Sequence, residues 1–384
     1  MPFRCHIAVF YWVFSTQPPR YPGYSQGSLF AMQSLLLQIT LTALPLTRLS
    51  AGLGTRLGLT DEPDARKQHA GSVPHTGGIA IFLTILAGTA ALGIAPYTYP
   101  MLAIACGVFA VGVFDDVRHI NPWLRLGIQY VAGLLLATVG GIAIVDVGNL
   151  LALGDIPLLW LSAPLTALAV AGLSNAYNMI DGIDGLAACT IALPLAVLYT
   201  LALQAGHPMA DSLLLMLLPL AVFLLFNLGP DNRLLPKIFL GDGGSVTLGF
   251  LVTASLVYFS QGEHALIRPV TALWLVTVPL MDMLATMLRR FRHGHKLMQA
   301  DRSHLHHTLM DMGLSARQTL LLLVGLATGS ALLGLVLEAI PPYLSLLAYC
   351  LLFLGHCLFV IKAETIGARL GLEPACKGDD REPN

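Results

Sequence analysis

Apolar runs of roughly 20 residues, the length a helix needs to cross a bilayer core, recur along the chain. They lie near 33–54, 77–95, 99–114, 126–145, 157–177, 187–204, 212–229, 245–260, 267–288, 319–338 and 342–361. The pattern predicts an all-α polytopic integral membrane protein with 10–11 transmembrane helices, the shortness of the third and eighth runs leaving the count open. Residues 1–31 break the pattern. Their apolar stretch, Cys5 to Phe14, is too short to span, and Gln17-Pro-Pro-Arg-Tyr-Pro-Gly-Tyr24 reads as linker. A poorly ordered extension accounts for them better than a signal peptide. The expected organisation is this extension, a polytopic domain over 32–362 and a cytoplasmic tail over 363–384.

Composition agrees with the pattern: 55% of the 384 residues are hydrophobic and 11% charged, against roughly 25% charged in a soluble domain. The net charge of −1 is silent about partners, and the absence of a basic block argues against nucleic acid. Cys5, Cys106, Cys189, Cys350, Cys357 and Cys376 show no metal or disulfide spacing and read as small apolar fillers.

The basic residues set the orientation. Arg48, Arg56, Arg66, Lys67, Arg118, Arg125, Arg233, Lys237, Arg289, Arg290, Arg292, Lys296, Arg302 and Arg317 fall in or beside loops that follow odd-numbered runs, whereas Arg268 stands alone after even-numbered ones. The positive-inside rule places the odd loops and the tail in the cytoplasm and the N-terminus outside. Trp123 and Tyr343, near run ends, read as interfacial anchors.

The same odd loops carry all the unusual polar chemistry. Loop 1 holds Arg66-Lys67-Gln-His69 and Pro74-His-Thr-Gly77-Gly78, and loop 3 holds Asp115-Asp116-Val-Arg118-His119. Loop 5 holds Asn175-Ala-Tyr-Asn178-Met-Ile-Asp181-Gly-Ile-Asp184-Gly185, loop 7 holds Asn232 and Phe239-Leu-Gly241-Asp242-Gly-Gly244-Ser245, and loop 9 holds Asp301-Arg302-Ser-His304-Leu-His306-His307. A charged residue at a bilayer centre costs about 2.5–3.5 kcal/mol on insertion scales. Polar clusters at membrane depth are therefore functional by default.

Adjacent pairs among Asn175, Asn178 and Asp181 share a helix face at i, i+3 spacing while the row drifts around the helix, and Gly182 and Gly185 allow the backbone to unwind into a wet cleft. Hard oxygen donors suit Mg²⁺, which takes one or two protein oxygens and fills its shell with substrate phosphate and water. The Gly241–Ser245 turn opens a helix whose N-terminus suits pyrophosphate, although many such turns are turns and nothing more. Asp115 and Asp116 could bind metal, act as base, orient a cation or form a solvated helix end with Arg118. The histidines of loop 9 lack zinc spacing and suit phosphate binding or proton transfer better, with a solvated loop as the plain alternative. Asp282, inside the ninth run, is expected to pair with Arg289 and Arg290, and His293 and His295 read as a headgroup-facing loop.

Taken together, these segments resemble the polyprenyl-phosphate N-acetylhexosamine-1-phosphate transferases of glycosyltransferase family 4. The resemblance covers residues 33–361. It rests on Asp61-x-Pro63-x-x-Arg66-Lys67-x-His69, Pro74-x-x-Gly77-Gly78, Asp115-Asp116, Asn178-x-x-Asp181-Gly-x-Asp184-Gly, Phe239-x-Gly-Asp242-x-Gly-Ser245 and Arg302-x-His304-x-His306-His307. It implies transfer of a sugar 1-phosphate from a UDP-sugar to undecaprenyl phosphate, with release of UMP, at the inner face of a bacterial inner membrane. Mg²⁺, with Mn²⁺ as a substitute, would lie on Asp242 and Asn178. Asp115, Asp116, Asp181 and Asp184 would be the catalytic carboxylates, Asp181 and Asp184 orienting substrate or loop 5 in preference to holding metal. Arg66, Lys67, His69, Asn232, Phe239, Arg302, His304, His306 and His307 would bind substrate, Phe239 and Asn232 at the uracil.

The His-x-His-His form is WecA-like and favours UDP-GlcNAc and the start of O-antigen or a related surface polysaccharide. UDP-GalNAc, UDP-FucNAc and UDP-QuiNAc stay open, as does a homodimer. The competing class is a cation-coupled transporter, opposed by carboxylates that gather at one face instead of the midplane.

Overall fold

The computed structural model describes residues 26–61, 72–92, 97–118, 120–294 and 304–369. Every apolar run holds a helix. In chain order the helices are α1 (Gln26–Leu57), α2 (Gly77–Leu92), α3 (Tyr99–Arg118), α4 (Pro122–Thr138), α5 (Ser162–Ile180), α6 (Leu186–Ala205), α7 (Ala210–Asn227), α8 (Asp242–Tyr258), α9 (Pro269–Leu275), α10 (Thr277–Arg292), α11 (Leu305–Asp311), α12 (Ala316–Val336) and α13 (Pro342–Arg369). Strands β1 (Thr60–Asp61) and β2 (Val73–Pro74) pair antiparallel within loop 1, Thr60 opposite Pro74.

Among the described residues seven helices are long and apolar enough to cross a membrane, and α9 with α10 adds an eighth if the bent pair counts as one span. The other three runs are the short helices α2, α4 and α8, of 16, 17 and 17 residues. Shortness is tolerable for α8 because its neighbours, not lipid, surround it: every residue from Gly243 to Val257 is buried. It is packed by α3, α5, α6 and α2. Small residues permit the approach. A Cβ on Gly78 would fall 2.2 Å from the Gly244 Cα, so α2 and α8 touch backbone to backbone where both begin.

The outer helices face the other way. Leu37, Leu41, Leu49, Leu53 and Leu57 form an exposed stripe on α1, and Leu347, Leu351, Leu354, Leu358 and Ile361 one on α13, as lipid-facing surfaces require.

The fourth run is helical only to Thr138, stopping at Gly140-Gly141, where Gly141 takes a φ of 71°. The ninth run breaks at Val276 with an 83° bend. Pro279 accounts for the break: it cannot donate to the Leu275 carbonyl, and its ring crowds that oxygen. The Thr277 hydroxyl donates to the Trp274 carbonyl at 2.9 Å, satisfying one acceptor that the break frees.

Candidate active site

The ends of α3, α5, α8 and α11 and the start of α4 converge at one end of the bundle, and their polar side chains interlock. Asn178, on the last turn of α5, donates from Nδ2 to Asp242 Oδ1 at 2.6 Å and to Ser245 Oγ at 3.1 Å. Arg125 Nη1 donates to Asp242 Oδ2 at 3.1 Å and to Asp115 Oδ2 at 2.7 Å. The other Asp115 oxygen accepts from the Ile120 amide at 2.6 Å, so this buried carboxylate is fully engaged by its own protein.

Asp116 sits at the N-terminus of α8. Its two oxygens accept from the amides of Asp242 at 2.7 Å and Gly243 at 3.0 Å, two of the donors that a helix start leaves free. Gly241 precedes them with φ 75°, a left-handed turn that glycine adopts without strain. The expectation of pyrophosphate at this helix start needs correcting, because Asp116 already occupies those amides.

Beyond Ile180 the backbone leaves the helix, and the tight connection over 181–185 ends on Gly185 with φ 77° before α6 begins. Asp181 is open to water from the cleft yet ringed by protein. That enclosure, and then repulsion from Asp242, Asp116 and Asp184, pushes its carboxyl up to about 8. Asp184 is held by Lys237 Nζ at 2.5 Å. Asn175, by contrast, turns away from the cleft: its Nδ2 donates to Gln129 Oε1 and to the Ala171 carbonyl, tying α5 to α4.

Loop 7 is shaped by its own polar side chains. Asn232 Oδ1 accepts from the amides of Leu234 at 2.8 Å and Leu235 at 3.0 Å, a turn that leads into Lys237 and Phe239. The Phe239 amide donates to Pro74, and its carbonyl accepts from Gly77, which stitches loop 7 to loop 1. The Phe239 ring lies 5.8 Å from the His75 ring, edge on, with Lys237 Nζ 5.8 Å from its centre.

His306 is buried and packs on Gly182. A Cβ there would lie 2.1 Å from His306 Nε2, so this glycine makes room for a histidine from loop 9 as well as loosening the helix. His304 lies parallel to His306 at 6.0 Å, and His307 sits 4.1 Å from His306. Asp282 meets this loop: its oxygens accept from the Leu305 amide and engage His304 Nδ1, a partner that reading along α10 toward Arg289 and Arg290 does not supply. Arg66, Lys67, His69 and Arg302 lie outside the described residues. Among the described residues no group of three or more His, Cys, Asp or Glu stands in a metal-holding arrangement.

Comparison with known proteins places this constellation. The family model described as glycosyl transferase family 4 matches residues 98–260, which hold every acidic group of the cleft. The chain is 32% identical over 338 residues to the undecaprenyl-phosphate alpha-N-acetylglucosaminyl 1-phosphate transferase of Yersinia pestis, covering 86% of this chain and 92% of that protein. It belongs to glycosyl transferase family 4. The protein of the same name from Escherichia coli K12 is 34% identical over 313 residues, 79% of this chain and 84% of its own. A probable undecaprenyl-phosphate N-acetylglucosaminyl 1-phosphate transferase of Bacillus subtilis is 30% identical over 338 residues, 85% and 90% of the two chains. In this family 4 member, sequence reasoning passes over three residues that the fold brings in, Arg125, Lys237 and Asp282. The first two are visible in the sequence only as loop cations. Asp282 is visible as a carboxylate inside an apolar run, a signal assigned to the wrong partner.

Proposed function

We propose that this protein transfers N-acetylglucosamine 1-phosphate from UDP-N-acetylglucosamine to undecaprenyl phosphate, at the cytoplasmic face of a bacterial inner membrane. The observation that carries the reading is the extent of the similarity. Relatives at 30–34% identity, spanning most of both chains, bear the name of that reaction. A lipid-phosphate oxygen attacks the β-phosphorus of the nucleotide sugar, the bond from that phosphorus to the bridging oxygen breaks, and UMP leaves with the electron pair.

The cleft chemistry supports this. The lipid phosphate is largely ionised near neutral pH, by analogy with a phosphoester second pKa of about 6, so the attack needs little help from a base. Asp115, engaged by Arg125 and Ile120, serves in this reading to hold Arg125 beside Asp242. The donor set fits Mg²⁺: Asp242, Asp116, Asp181 and Asp184 lie close enough that enclosure, and then their mutual repulsion, raises the Asp181 carboxyl to about 8, and a hard divalent cation needs one or two such oxygens. Asp242 and Asn178 would hold it. When bound, it supplies charge neutralisation for the pyrophosphate, the main demand of phosphoryl transfer. Phe239 and Asn232 flank the uracil in this reading, and His304, His306, His307, Arg302, Arg66, Lys67 and His69 face phosphate and sugar. The product begins O-antigen or a related surface polysaccharide.

The test is purified protein with Mg²⁺, undecaprenyl phosphate and a panel of UDP-sugars, scored for UMP and lipid-linked product. UDP-N-acetylglucosamine is expected to be turned over fastest. No product from any sugar, with folded protein, overturns the enzyme reading, and preference for the 4-epimer or a 6-deoxy sugar overturns the donor assignment.

A further inference from the structure

We propose that Asp282 is a positioning residue for this site, holding the His304 imidazole by Nδ1 so that Nε2 is the atom offered to the substrate phosphates. The inference rests on the transferase reading above. It begins from an anomaly in the sequence, a carboxylate inside an apolar run, and from how completely the fold uses it.

Asp282 lies on α10, 3% exposed. A carboxylate so enclosed is costly unless bonded, and both of its oxygens are spent on two consecutive residues of loop 9. Oδ1 accepts from the Leu305 amide at 2.7 Å, at the first residue of α11, and Oδ2 lies 3.0 Å from His304 Nδ1. An ionised carboxylate only accepts. His304 must therefore carry its proton on Nδ1, which leaves Nε2 as a lone pair in the neutral ring or as a second N–H in the imidazolium. The same bond fixes the ring plane. His306 lies parallel to it at 6.0 Å and rests on Gly182, beside Asp181. One buried carboxylate on the bent helix pair thus sets both the tautomer of His304 and the seating of loop 9 on loop 5. Among the described residues, His306 lies parallel to His304, His307 packs on His306, and His356 on α13 lies within electrostatic reach of Asp282.

A role confined to anchoring α11 makes different predictions, and substitutions separate the two. Asp282→Asn offers one acceptor and one donor to two N–H groups. It keeps the Leu305 amide on its oxygen and turns its NH2 toward His304 Nδ1, which forces the other tautomer. His304→Asn keeps an N–H toward Asp282 and lacks any counterpart of Nε2. With purified protein, Mg²⁺, undecaprenyl phosphate and UDP-N-acetylglucosamine, each single variant is expected to lower kcat by about tenfold or more. KM for the nucleotide sugar should stay within about twofold, and the thermal midpoint should stay close to that of wild type. The double variant is no worse than the worse single one.

Wild-type kinetics in Asp282→Asn overturn the inference, as do losses that multiply in the double variant. So does near-wild-type turnover in His304→Asn, which also decides the matter should Asp282→Asn lose its cooperative thermal transition. Wild-type protein that releases no UMP overturns the transferase reading, and this inference with it. An active wild type with an unaffected Asp282→Asn overturns this inference alone.

Discussion

At the residue scale the carboxylates of the cleft divide by what already touches them. Asp115 and Asp116 are satisfied by protein donors, whereas enclosure, and then repulsion from Asp242, Asp116 and Asp184, raises the Asp181 carboxyl to about 8. Asp242, bonded to Asn178 and Arg125, is the proposed metal ligand, so Asp242→Ala should abolish UMP release from folded protein. Asp115→Asn should retain measurable turnover, with a lowered thermal midpoint because Arg125 loses a buried partner; equal losses in the two variants would restore Asp115 as an essential base. A pH dependence follows from Asp181. Its carboxyl, raised to about 8 in the fold from about 3.9 in the unfolded chain, makes the native state bind more protons across that window. Without metal, stability is therefore highest below the unfolded value and declines as pH rises through 8. A divalent cation removes the repulsion, so the rise in thermal midpoint on adding Mg²⁺ should be larger at about pH 9 than at about pH 6. Equal shifts would detach Asp181 from the metal. The residue types were legible in the sequence because carboxylates and amides stand out in apolar runs. Their pairing was not: Arg125 reaches Asp242 across 117 positions of chain, and such partners follow from how helices cross.

At the scale of elements, hydropathy located every long helix, since length and apolarity suffice to mark a span, and passed over the seven-residue α11 within loop 9. It missed the ends. The break at Val276 depends on Pro279 denying a bond to Leu275, and the early stop of α4 depends on paired glycines, features that an average over 20 residues blurs. The drift of the i, i+3 row, legible in the sequence, sends Asn175 to Gln129 and Asn178 to Asp242, although the partners themselves were not legible. Gly182 joins two elements that sequence treats as separate, loop 5 and loop 9. Gly182→Ala should displace His306, cost about 1–3 kcal/mol of stability and lower turnover by more than that loss explains. Gly107→Ala on α3, where nothing lies within 4 Å of the new methyl, should be neutral or stabilising by about 0.5–1 kcal/mol. Matching activity in the two variants would show that the contact between Gly182 and His306 is incidental.

For the whole molecule, the decisive property is which side of the membrane the cleft faces. In the proposed function the cleft faces the cytoplasm, in keeping with the charge asymmetry of the loops; a nucleotide sugar, multiply charged, does not cross a bilayer unaided, so the catalytic end would have to open on the compartment that supplies it. The two ends of the bundle offer well-separated positions for a test: Arg233, exposed on the turn of loop 7, and Glu263, exposed on the connection that follows α8. In a cysteine-free background, Arg233→Cys should react with a membrane-impermeant maleimide in inverted membrane vesicles and not in intact spheroplasts, while Glu263→Cys should do the reverse. The opposite pattern would leave the cleft intact and turn it away from its donor. The positive-inside orientation would then be overturned, and with it the cytoplasmic nucleotide-sugar transferase, because the same carboxylates would face a compartment without UDP-sugar.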